Sequence, residues 1–199
     1  MARYKEFDRE DILEKAMQTF WQYGYEGTSI QILVKSTGIH RGSLYDTFGD
    51  KRSLFCEVLE YYNKTIVGSA LERLENPNSS WSDLVDFFNR IIEFSLSDRE
   101  CKGCLLVNSA IEFCPNDSEI SRSIRAQFKR IERAFYNTLN NAKNRGEIPR
   151  SRDVYTLAKY LTCSLKGLRV TAKIDPTRDS LERVQKSILA TLQTQAIAP

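Results

Sequence analysis

Apolar residues recur at three- and four-residue intervals along almost the whole chain, and no stretch alternates polar and apolar residues long enough for a sheet. The first periodicity places a stripe on one face of a helix, and the second would have marked half-buried strands. The chain is therefore predicted to be all-α, with about nine helices. The first is expected from Asp8, a carboxylate suited to an N-cap, with Ile12, Leu13, Ala16, Phe20 and Tyr23 on one stripe and Gly24 as its stop. Thr28 and Ser29 are expected to cap a short second helix carrying Ile30, Leu33 and Val34, which Gly38 ends. Ile39 plugs the turn, and a third helix over 41–48 buries Leu44 and Phe48. Two short helices joined by a tight turn containing glycine make a helix-turn-helix.

Downstream, the pattern predicts a fourth helix over about 51–74, then a loop at 76–80. A fifth helix runs from Trp81 to near Ser97, and a sixth over about 102–113 is closed by Pro115. A long helix over about 117–145 stops at Gly146, with Pro149 beyond. The last two span about 153–173, with Leu157, Leu161, Leu165 and Leu168, and about 179–193, with Leu181, Val184, Ile188 and Leu192. The expected division is a head at 1–52 and a helical regulatory domain at 53–199.

Composition narrows the function classes. Hydrophobic residues at 41% and charged residues at 28% of 199 are ordinary for a soluble globular chain. No segment approaches the roughly 18 apolar residues of a membrane span, and the charged N-terminus is unlike a secretory signal, so a cytoplasmic location is expected. The five cysteines are an odd number, which favours reduced thiols over a disulfide framework. The net charge is +3, yet residues 1–60 hold eight Lys or Arg against ten Asp or Glu, a net of −2. An argument for DNA binding must rest on where the cations fall. Lys35, Arg41, Lys51 and Arg52 cluster around the helix-turn-helix, while Asp8, Glu10, Asp11 and Glu14 sit in the first turns of the first helix, where its dipole favours acids.

The segment TSIQILVKSTGIHRGSLYDTFGDKRSLF, beginning at Thr28, resembles the DNA-binding signature of the TetR family. The matching positions are Thr28-Ser29, Gly38-Ile39, Gly42, Leu44-Tyr45, Phe48, and Lys51 followed by Leu54-Phe55. The resemblance implies a transcriptional regulator, a homodimeric repressor holding double-stranded operator DNA. On that footing, the Thr28 and Ser29 hydroxyls at the start of the second helix can hold phosphate. Gly42 lets the third helix approach DNA closely, with Arg41 and Ser43 directed toward base edges. Tyr45 is a DNA contact by the same resemblance. Lys51, opening the fourth helix, can clamp a phosphate together with free backbone N–H groups. His40, the single histidine, is a turn residue that can touch phosphate and has no partners for metal binding or catalysis. The sequence departs from the family pattern at Ile32, Val34, Thr37 and Thr47.

For the remainder, the resemblance implies pairing of the last two helices with a second subunit, and a pocket for an unidentified small-molecule inducer. Phe87, Phe94, Phe113, Phe128, Phe135 and Tyr155 suit such a pocket and equally suit a plain core. Cys101, Cys104 and Cys114 lie on or beside one predicted helix with Arg99 and Lys102 nearby, cations that would raise the thiolate fraction. The segment GCLLVNSAIEFC, from Gly103, resembles that of some thiol-sensing members, so redox or electrophile sensing stands beside buried structural cysteine. Three cysteines lack a fourth zinc ligand. A thiol oxidoreductase using Cys101 and Cys104 would need a βαβ setting that the pattern does not offer. A constitutive architectural DNA binder would not need so large a body, and the sign of regulation, repressor or activator, comes from the resemblance alone. The expectation is a non-enzyme with no cofactor and no metal.

Overall fold

Short-range signals define the first three helices of the computed structural model, which describes residues 8–114 and 116–193. The expected stop at Pro115 lies outside them. Helix α1, Arg9–Tyr23, begins where the Asp8 carboxylate accepts from the Glu10 N–H at 2.9 Å. It ends at Gly24, whose φ of 73° a side-chain-bearing residue rarely adopts. Helix α2, Ile30–Thr37, is capped by Ser29, whose hydroxyl accepts from Ile32 N–H at 3.2 Å, and closes on left-handed Gly38. Helix α3, Arg41–Phe48, buries Leu44 and Phe48 as expected, and Ile39 is buried in the turn before it.

Helix α4, Lys51–Tyr62, continues through a π turn at Asn63–Val67 into α5, Gly68–Leu71. Then follow α6, Trp81–Ser97, α7, Leu105–Phe113, α8, Ser118–Asn144, α9, Val154–Ile174, and α10, Arg178–Gln193. With the helical stretch from α4 to α5 counted once, the described residues make nine helices and no strand. Helix α6 starts with a capping box, in which the Asp83 carboxylate accepts from the Ser80 N–H at 2.9 Å. Helix α7 starts three residues later than its apolar pattern implied, because Cys101 (φ 49°) and Gly103 (φ 72°) hold left-handed backbone that a helix cannot contain.

The chain forms two compact units, one comprising residues up to Ile66 with Leu105–Ser121, the other comprising Val67–Cys104 with the residues from Arg122 onward. In the first, α1 packs on α2, α4 and α7, around Phe20, Leu33, Leu44, Leu54 and Phe55, none more than 1% exposed. Tyr23, placed by its spacing on the apolar stripe of α1, is instead 53% exposed, since it falls in the last turn as the helix leaves its partners. In the second unit, Phe87, Phe88 and Phe135 make a ring cluster with centroids 5.4–6.1 Å apart. The leucine stripes of α9 and α10 belong to this core. Leu157, Leu161, Leu165, Leu168, Leu181, Ile188 and Leu192 are all buried within the protomer. What α9 leaves outside is a different face, with Tyr155, Cys163, Gly167, Val170 and Ile174 exposed.

Candidate nucleic-acid interface

Helix α3 carries Arg41, Gly42, Ser43 and Tyr45, the residues of the expected DNA contact. Arg41 and Gly42 are exposed, Ser43 and Tyr45 half-buried, and the Arg41 guanidinium stands 5.5 Å from the Tyr45 ring centroid. At that distance the ring face attracts the guanidinium, whose planar fork carries five donors. A Cβ on Gly42 would meet no atom of the protein within 4 Å, so nothing inside the chain requires glycine there; its smallness faces outward. His40 is exposed at the N-cap position and makes no side-chain capping bond. Thr47 folds back, donating its hydroxyl to the Ser43 carbonyl at 2.7 Å.

The expected phosphate contacts divide. Ser29 is exposed at the start of α2. Thr28 does not join it: the side chain is fully buried, its hydroxyl donates to the Gly24 carbonyl at 2.6 Å, and its N–H donates to Tyr25. Thr28 thus shapes the α1–α2 loop and does not face the surface, a correction to the reading of its hydroxyl as a phosphate ligand. Lys51, half-buried, has its ammonium 4.1 Å from the Tyr25 ring centroid. Asp50 caps α4, accepting from Ser53 N–H at 2.7 Å, and that backbone bond holds its carboxyl below the usual range. Arg52, counted by its spacing among the cations around the motif, is bound by Asp117 at 3.0–3.2 Å and Glu119 at 2.9 Å. Its charge is therefore compensated within the protein.

Tyr25 and Glu112 were not foreseen. The Tyr25 N–H donates to Glu112 Oε2 at 2.8 Å across 87 residues of sequence, a distance at which spacing carries no signal.

Family comparison matches residues 12–58 to bacterial regulatory proteins of the tetR family, and residues 80–188 to the tetracyclin repressor-like C-terminal domain. The chain is 40% identical over 183 residues to the uncharacterized HTH-type transcriptional regulator YezE of Bacillus subtilis (strain 168), covering 92% of this chain and 94% of that one. The chain belongs to the tetR family of bacterial regulatory proteins. A second relative, the HTH-type transcriptional repressor ComR of Escherichia coli (strain K12), is 32% identical over 189 residues, 94% of this chain and 90% of that one. Among solved structures, a cysteine mutant of the TetR family regulator CifR, complexed with 26-bp double-strand operator DNA, matches at TM-score 0.85 and 28% identity, over 96% of this chain and 99% of that one. As a TetR-family protein, the chain is a helix-turn-helix DNA-binding regulator of transcription.

The cysteines of this TetR-family chain fall in different places. Cys101 and Cys104 belong to the turn before α7, and Cys114 follows its last turn; all three are half-buried. The Lys102 ammonium, expected to activate a thiol, lies 3.1 Å from Glu100 and 3.8 Å from Asp98, so carboxylates offset its charge. Arg169, only 5% exposed on α9, binds this turn through the Gly103 carbonyl and reaches Ser95 Oγ at 2.5 Å. Cys56 is half-buried on α4, and burial pushes its thiol pKa up. Among the described residues, no group of three or more His, Cys, Asp or Glu could hold a metal ion, and no helix is long and apolar enough to cross a membrane.

Of the expected pocket aromatics, Phe87 and Phe135 are core, whereas Phe94 and Tyr155 are 38% and 57% exposed. The π turn contributes a group of another kind. Asn63 is 5% exposed, and neither its Oδ1 nor its Nδ2 has a hydrogen-bond partner among the described residues.

Proposed function

We propose that this TetR-family regulator is a cytoplasmic homodimeric repressor, released from its operator by a small-molecule inducer or by modification of a sensor cysteine, and that it is not an enzyme. The observation that carries the reading is the outer face of α3, with Arg41 and Gly42 exposed and Ser43 and Tyr45 half-buried, on a helix seated in the protein by buried Leu44 and Phe48. In this reading Arg41 reads a base edge and Tyr45 supports it, while Ser29, His40 and Lys51 hold phosphates. Residues 1–52 act as the DNA-binding head and 53–199 as the regulatory part.

Two heads must reach half-sites about one DNA turn apart, so a second copy is required. The α9 face bearing Cys163, Gly167, Val170 and Ile174 supports α9 and α10 as the dimer interface, since it is apolar or small and stands outside the protomer core. An inducer is supported by Asn63: an amide buried without a partner costs about 1–3 kcal/mol, which a polar ligand group would relieve. Cys101, Cys104 and Cys114 are the sensor candidates, with Cys101 and Cys104 on a turn of left-handed backbone that chemical modification would disturb.

The test is binding of the purified protein to its own upstream intergenic DNA, repeated with Arg41→Ala and Tyr45→Ala and with a mild thiol oxidant. Tight binding that both folded variants lose supports the repressor reading, and reversible release by oxidant supports the thiol route. Absence of any duplex recovered in a genome-wide selection would refute it.

A further inference from the structure

Lysine is a flexible contact for phosphate: its four-carbon stem leaves the ammonium free to sample many positions, and each must be given up on binding. Lys51 is different. Its Nζ is stationed 4.1 Å from the centroid of the Tyr25 ring, where the negative face of the π system attracts it. The charged residues on either side of Lys51 in sequence are otherwise occupied. The Asp50 carboxylate accepts from the Ser53 N–H, and Arg52 is bound to Asp117 and Glu119.

The ring that holds Lys51 is itself held by three other rings. Tyr25 meets Phe55 at 5.0 Å and Phe113 at 5.0 Å, both edge to face, and stacks toward Phe20 at 6.1 Å. Phe55 and Phe113 stack on one another at 5.2 Å, so a residue of α4 and the last residue of α7 close around the same ring. Its backbone is fixed as well, by the 2.8 Å bond to Glu112, the residue before Phe113. Gly24 makes room for that carboxylate: a Cβ there would lie 2.3 Å from Glu112 Oε1, on a backbone whose φ of 73° already disfavours a side chain. Burial, with Glu26 and Asp50 adding, raises the phenol pKa.

We infer that Tyr25 is a positioning residue for the Lys51 phosphate contact, and that Glu112 and Phe113 at the end of α7 set where the ammonium stands. The inference rests on the DNA-binding reading of α3 and α4. It divides the interface in two. Arg41 and Tyr45 position one another within α3, whereas Lys51 answers to α7 through Tyr25. A displacement of the end of α7 would detune the phosphate contact while leaving the base-reading face intact, weakening affinity for all sequences and not the choice among them.

The experiment is the salt dependence of binding to an operator duplex selected with the wild-type protein, for Lys51→Met, Tyr25→Leu, Glu112→Ala and the double variant Tyr25→Leu with Lys51→Met. Lys51→Met should lower the slope of log affinity against log salt by about one. Tyr25→Leu and Glu112→Ala should each lower it by part of that amount, and the double variant should match Lys51→Met alone. Tyr25→Phe should keep the wild-type slope. Because Tyr25→Leu can loosen the core, a shape-preserving series with progressively fluorinated phenylalanine at position 25 accompanies it, and affinity should fall stepwise as the ring face loses negative charge. Unchanged slopes, additive losses in the double variant, or indifference to fluorination would reduce Tyr25 to a packing residue. If the wild-type protein selects no duplex at all, the DNA-binding reading falls first, and this one with it.

Discussion

The helices of the head and those of the second unit are stabilised by different means. Helices α2 and α3 span eight residues each, too short to persist alone in water; α2 is set by Ser29 before it and Gly38 after it, and α3, whose N-cap His40 makes no capping bond, by its closing turn at Gly49 and the burial of Leu44 and Phe48. Helices α8 and α9 span 27 and 21 residues and are set along their length by burial, with Phe135 fully enclosed and four leucines of α9 inside the core. A region whose geometry is fixed at helix ends can present its middle to another molecule. One fixed along its length spends its buried face on itself, and on α9 it leaves a separate face with Cys163, Gly167, Val170 and Ile174 outside.

The sharpest way to break this contrast is truncation of a core ring. Phe135→Ala should cost about 3–5 kcal/mol of stability, read by urea unfolding. A smaller loss than that of a cap deletion would overturn the contrast. Next in size, Arg41→Ala should cost about 1–3 kcal/mol of operator affinity with stability unchanged within about 0.5 kcal/mol. Loss of the fold instead would mean that the α3 surface is structural. Ser29→Ala should cost about 1 kcal/mol of stability, since it removes the one side-chain acceptor at the start of α2.

The smallest effect concerns the second unit in acid. Arg130, bonded to Glu75 at 2.7 Å, lowers the Glu75 pKa. A depressed folded pKa gives stability that is fully present above the ordinary glutamate value, about 4.3, and is lost as pH falls through the folded one. Glu75→Gln should therefore reduce stability at pH 7 by less than about 1 kcal/mol, because the pair is a third exposed. The difference between variant and wild type should close as pH falls below the glutamate range, and a difference that persists there would assign the loss to packing.

Legibility followed the same divide. Asp8, Ser29, Gly24 and Gly38 act on residues within one helical turn, so the ends of α1 and α2 could be read from the chain itself. The all-α architecture and the α3 residues came from periodicity and the family resemblance. What could not be read was direction. Thr28 has the chemistry of a phosphate ligand, and only the Gly24 carbonyl at 2.6 Å shows where its hydroxyl goes. The π turn has no sequence marker, and Asn63 gives no hint of being buried without a partner. The leucine spacing on α9 was compatible with a dimer seam and with a core, because periodicity names a buried face and not its partner. Arg52 counts by its position among the cations of the motif, and its partners Asp117 and Glu119 are too distant in sequence to be read from spacing.

The brace from Glu112 to the Gly24–Tyr25 peptide has a consequence for exchanging parts between relatives. A chimera that carries residues 8–52 onto another body leaves Tyr25 without its carboxylate and Arg52 without its acids. It also sets whatever residue replaces Glu112 against a loop shaped for that one side chain. The exchangeable module is discontinuous: the residues up to Ile66 travel with Leu105–Ser121, and a graft of the first segment alone should yield a folded helix-turn-helix with a misplaced Lys51.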